Sequence, residues 1–170
     1  ASGAAESEPA SVPPYEVPNP TTDAPPEVGA EAYVVMDAKT GQVLVSKNAD
    51  WKEYPASITK ILTLGLTLEA LDDYTQHLND QIEVSWDASH SLMPGAAKIS
   101  LTEGEVVSLS DLLYAAQIVS ANDAANVLAE YTAGSMDQFA WQMTDKAAKL
   151  GATGSNFVNA SGLPDPNHYT

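Results

Sequence analysis

The chain contains no cysteine. Disulfides, thiolate zinc sites and cysteine nucleophiles are excluded together. Basic residues are scarce: 7 Lys and Arg stand against 23 Asp and Glu, a formal net charge of −16. That excess argues against nucleic acid or an anionic membrane surface as main partner, and it serves solubility by itself. Histidine occurs only at 77, 90 and 168, without ligand spacing. No metal or other cofactor is expected, and His77, His90 and His168 are each read as surface or loop residues. No apolar run is long enough to span a bilayer as a helix. No signal peptide is visible, although a removed signal leaves no trace.

What is present is enough chain, 170 residues, for a domain with a core. Residues 1–29 are rich in Pro, Ala, Ser and Glu, with proline pairs at Pro13-Pro14 and Pro25-Pro26. Such a composition reads as an extended leader or linker in front of a domain over 30–170. It suits a protein tethered outside the cytoplasm, and equally an ordinary tail. Ala32 to Asp37 and Gln42 to Lys47 are strand-like, joined by Ala38-Lys39-Thr40-Gly41 as a hairpin. Gln81 to Val84 and Lys98 to Leu101 are short strand candidates, with loop between them from Ser85 to Ala96. Helices are expected from Ser108 to Val119, Asp123 to Tyr131 and Met136 to Leu150. Ser108 with Asp111, and Ser135 with Gln138, resemble capping boxes.

The central stretch is Pro55 to Leu71, read as a helix apolar on nearly every side and therefore buried. Its first turn carries Ser57 and Lys60, three apart and so on one face. A serine hydroxyl becomes a nucleophile when a base takes its proton. Lysine can be that base if desolvation lowers its pKa. The plainer reading makes Ser57 a helix N-cap and Lys60 a solvated lysine. About 0.6 Ser-x-x-Lys matches arise by chance in such a composition, so the spacing alone is weak. A second short pattern, Ser120-Ala121-Asn122, lies at a helix–helix junction, where serine and asparagine are also ordinary turn residues.

Pro-Ala-Ser-Ile-Thr-Lys at 55–60, Ser-Ala-Asn-Asp-Ala-Ala at 120–125 and Asn-Phe-Val-Asn-Ala-Ser-Gly-Leu at 156–163 together resemble the serine D-alanyl-D-alanine carboxypeptidases. These are the low-molecular-mass penicillin-binding proteins. The hairpin at 35–44, Leu-Thr-Glu-Gly-Glu at 101–105 and Asp-Pro-Asn-His-Tyr at 165–169 are similar to the same family. The resemblance implies an α/β (α+β) DD-peptidase/β-lactamase-like fold, with an antiparallel sheet beside a helical subdomain. It implies Ser57 as acylated nucleophile, Lys60 as base, Ser120 as proton relay to the leaving amine, and Asn122 in contact with Lys60 and the substrate amide. The substrate implied is a peptidoglycan stem peptide ending in D-Ala-D-Ala, with β-lactams as acylating mimics and an extracytoplasmic bacterial location. The family's Lys-Thr-Gly element follows Ser-x-Asn. Here Lys39-Thr40-Gly41 precedes Ser57 and is read as a hairpin turn. The true motif and its strands are expected beyond Thr170, in a second portion of the same protein. A β-lactamase and a non-catalytic peptidoglycan-binding fragment remain as alternative readings.

Overall fold

The computed structural model describes residues 27–170. The leader expected over 1–29 lies almost wholly outside the described residues. Two compact units divide at Ala49/Asp50, and each is described by itself.

The first unit is a hairpin. Strands β1 (Tyr33–Met36) and β2 (Val43–Lys47) pair antiparallel, with Val35 opposite Val45 and a register shift between Val35 and Met36. Asp37 builds the turn: its carboxylate accepts from Lys39 N at 3.1 Å, Thr40 N at 2.7 Å and Thr40 Oγ1 at 2.7 Å. Gly41 closes it at φ 73°, a conformation glycine adopts without penalty. Lys39-Thr40-Gly41 is therefore a turn, as the sequence order indicated.

The second unit is helical. A 3₁₀ turn (Ala56–Ile58) runs into α1 (Thr59–Glu69). Next come α2 (Tyr74–His77), β3 (Gln81–Glu83), α3 (Trp86–His90) and β4 (Val106–Ser108). Helices α4 (Leu109–Ile118), α5 (Asn122–Ala133) and α6 (Met136–Lys149) complete it. β3 pairs antiparallel with β4, Ile82 opposite Val107.

Several expectations change. The helix buried on all sides is α5, not α1: every residue from Asn122 to Ala129 is buried. Its alanines let α1, α4 and α6 approach closely, so burial there reads poorly from hydrophobicity. On α1 the buried stripe is Thr59, Lys60, Thr63 and Thr67, while Ile58 and Ile61 are 70% and 67% exposed. Lys98 to Leu101 is not a strand. Ile99 N and Leu101 N both donate to the buried carboxylate of Asp123, at 3.2 and 2.9 Å, and Ser100 has φ 67°. Ser85 to Ala96 is not all loop: Ser85 caps α3 by accepting from Ala88 N at 2.9 Å, and Trp86 stacks on His90 one turn later. Ser108 caps α4 as expected, but its hydroxyl also donates to Asp111 Oδ2 at 2.6 Å, so the Asp carboxylate meets the Ser hydroxyl. Ser135 caps α6, accepting from Gln138 N.

Two apolar clusters form the core. Ile82, Leu109, Leu112, Val127 and Leu128 fill one between α4 and α5. Phe139, Met143, Phe157 and Ala160 fill the other, with Leu62 and Leu66 of α1 packed against it. The second cluster seats the 156–163 segment beside α1, which matters for the site.

Candidate active site

Ser57 sits in the 3₁₀ turn at the head of α1, and Lys60 follows in the first α-helical turn. Their spacing aligns them as the sequence indicated: Lys60 Nζ donates to Ser57 Oγ at 3.2 Å. Ser57 is not an N-cap. Ile58 occupies that position and no side chain caps the helix. Ala56, just before Ser57, has φ 47°. A non-glycine residue held there stores roughly 1–3 kcal/mol of strain.

Ser120 lies in the middle of the α4–α5 connection, at φ 57°. Its hydroxyl donates to Ser57 Oγ at 2.9 Å, across 63 residues of sequence. The Ser57 oxygen is thus met by an amine and a second hydroxyl. Ser57 is exposed and Ser120 partly so, leaving the Ser57 oxygen accessible from outside.

Lys60 is only 3% exposed. Burial pushes its ammonium down from the ordinary 10.5 to about 8. Among the described residues no carboxylate pairs with it. Its second acceptor is the Ser161 carbonyl, at 2.7 Å. A dipole holds the amine in place without adding a full opposing charge. Asn122 is buried, and its backbone N–H donates to Ala97 O at 2.9 Å. Among the described residues no hydrogen bond joins Asn122 to Lys60: those of Lys60 Nζ go to Ser57 and Ser161.

The 156–168 segment also builds the site, a role that its local sequence does not signal. Thr63 Oγ1 donates to Ala160 O at 2.6 Å, beside the Lys60–Ser161 bond. Gly162 packs so closely that a Cβ there would lie 1.8 Å from the Ala56 carbonyl oxygen. His168, expected at the surface, is 1% exposed. Val158 N donates to its Nδ1 at 3.2 Å, which leaves Nε2–H to donate to Thr59 Oγ1 at 2.9 Å. Burial lowers the pKa of His168, against the opposing charge of Asp165. The imidazole is therefore a neutral pin between the loop and α1. The only advance signal was the Asn-Ala-Ser-Gly-Leu string itself, which gives no hint of where it docks.

A serine oxygen flanked by a buried amine of lowered pKa and a second hydroxyl is an arrangement capable of acyl transfer. Comparisons with known proteins give the family. The family model for D-alanyl-D-alanine carboxypeptidases matches residues 19–170. The D-alanyl-D-alanine carboxypeptidase DacF of Bacillus subtilis is 36% identical over 141 residues, covering 83% of this chain and 36% of that protein. DacC of Escherichia coli is 37% identical over 148 residues, covering 85% and 37%. Among solved structures, penicillin-binding protein 5 from Haemophilus influenzae superposes with TM-score 0.79 at 33% identity, covering 87% of this chain and 43% of that one. Penicillin-binding protein 6B from E. coli gives 0.79 at 34% identity, covering 89% and 49%.

The chain belongs to the D-alanyl-D-alanine carboxypeptidase family. Its helices and small antiparallel sheets are part of the penicillin-binding DD-peptidase fold. It spans about a third of the length of the curated relatives cited, 36% and 37%.

Proposed function

We propose that the protein carrying this chain is a serine D-alanyl-D-alanine carboxypeptidase that trims peptidoglycan stem peptides through an acyl-enzyme on Ser57. The observation that carries this reading is the Ser120–Ser57–Lys60 hydrogen-bonded set, with the lysine buried at the head of α1.

Neutral Lys60 takes the Ser57 proton as the oxygen attacks the penultimate D-alanine carbonyl. The Ser57–acyl bond forms, and the peptide C–N bond breaks. The proton passes through the hydroxyl of Ser120 to the departing D-alanine amine. Water then cleaves the ester: Lys60 takes a proton from the water as its oxygen bonds the acyl carbon, and gives that proton to Ser57 Oγ as the ester C–O bond breaks, which restores the hydroxyl and the neutral amine. The Ser57 backbone N–H serves as one oxyanion donor, a contribution worth on the order of 10²–10³ in rate for such groups. Asn122 holds the substrate amide rather than Lys60.

β-Lactams acylate the same oxygen. The segment 151–163, which presents the Ser161 carbonyl to Lys60, contains neither Asp nor Glu. It therefore offers no carboxylate of the kind that activates the deacylating water in class A β-lactamases. Penicilloyl-enzyme persists. The Lys-Thr-Gly strand and the second oxyanion donor come from a further portion of the same protein. An extracytoplasmic, wall-facing location and a role in cell shape follow from the substrate.

The test uses the full-length protein and a pentapeptide ending in D-Ala-D-Ala. Free D-alanine is measured for wild type and Ser57→Ala. Release by wild type that drops to background in the variant supports the reading. Equal release by both would sink it.

A further inference from the structure

We propose that Asn159 is a positioning residue for the acylation site: its side-chain amide shapes the loop so that the Ser161 carbonyl receives Lys60. The inference rests on the acyl-transfer reading above and goes beyond it, because Asn159 touches neither Ser57 nor substrate.

Lys60 needs an acceptor that orients its amine toward Ser57 while keeping the group buried. Ser161 O supplies it at 2.7 Å, shorter than the 3.2 Å to Ser57 Oγ. The placement of that carbonyl therefore decides where the amine stands. The carbonyl belongs to a turn with little backbone support of its own. Among the described residues, neither Ser161 N nor Gly162 N makes a backbone hydrogen bond. Asn159 takes their place. Its Oδ1 accepts from Ser161 N at 3.2 Å, Ser161 Oγ at 3.2 Å and Gly162 N at 2.7 Å. Its Nδ2 donates to Leu163 O at 3.0 Å, closing the turn from the other side. An asparagine bonding the backbone ahead of it is a standard way to build such a turn. Ser161 is 2% exposed, so its polar groups have no ready substitute in water.

Truncating Asn159 leaves those three donors and the Leu163 carbonyl without their partner. The turn relaxes, Ser161 O moves off Lys60, and water reaches the amine. Two consequences follow together. The amine loses its aim at Ser57, and its basicity returns toward that of an exposed lysine.

The test compares wild type, Asn159→Ala and Asn159→Ser in the full-length protein. The rate constant for acylation by benzylpenicillin is measured from pH 6 to 10, alongside thermal melting. Serine can accept from a backbone N–H two or three residues ahead, so it restores part of the turn. Asn159→Ala should acylate on the order of 10- to 100-fold more slowly at neutral pH. Its pH midpoint should move above the wild-type value near 8, with Asn159→Ser falling between. A folded variant with the wild-type midpoint would overturn the proposal, whatever its rate. So would failure of both variants to fold, which makes Asn159 a stability residue only. Wild type that is not acylated at all would instead overturn the underlying reading, and the inference with it.

Discussion

Lys60 shows how much of the chemistry rests on single contacts. Its spacing from Ser57 was legible, because residues three apart on a helix share a face. Its burial against a carbonyl 101 residues away was not. Depression from 10.5 to about 8 places part of the population in the neutral, base-competent form near neutrality. Gly162 is the second such residue. It stands at φ 81°, and a Cβ would overlap the Ala56 carbonyl oxygen at 1.8 Å. Ala56 immediately precedes Ser57, so any relief of that clash displaces Ser57. Gly162→Ala should destabilise the fold by roughly 1–3 kcal/mol and slow acylation in the molecules that remain folded. Denaturant melts combined with acylation rates check this. A variant with wild-type stability would show that the close approach is not fixed.

At the scale of elements, the sequence was most informative where local chemistry decides. The caps Ser108 and Ser135 and the Asp37-to-Gly41 turn were readable because each side chain bonds backbone within three or four residues. It was least informative where a distant group overrides local preference. Lys98 to Leu101 has strand-like residues, yet the Asp123 carboxylate, from α5, takes the Ile99 and Leu101 N–H groups a strand partner would need. Helix α5 carries many alanines, whose burial depends on neighbours rather than on their own hydrophobicity. Helix α1 misled in the opposite sense: its leucines suggested all-round burial, while the polar face, Thr59, Lys60 and Thr63, is the one turned inward. That inversion is functional. The polar face meets the 156–163 segment and His168, and Lys60 is carried inward with it. Ser57 and Ser120 were each placed at element junctions from sequence. Their 2.9 Å contact required the α4–α5 turn to fold back over the head of α1.

At the scale of the molecule, the helical unit leaves apolar surface uncovered on the outer side of α1 and on α4. Ile58, Ile61, Tyr114 and Ile118 are 70%, 67%, 65% and 73% exposed. Apolar side chains this exposed are available to an association. Residues 1–170 expressed alone should therefore self-associate or melt without cooperativity, as read by light scattering and calorimetry. A stable monomer with a sharp transition would contradict that. The central claim, that buried Lys60 activates Ser57, has one direct measurement: time-resolved mass spectrometry of benzylpenicillin acylation on the full-length protein across pH, with the adduct mapped by peptide digestion. With neutral lysine as the proposed base, the rate should rise about tenfold per pH unit below the midpoint and level off above about 8. The adduct should sit on Ser57 alone and vanish in Lys60→Ala while that variant remains folded. A pH-independent rate, an adduct on Ser120, or normal acylation of folded Lys60→Ala would contradict the account.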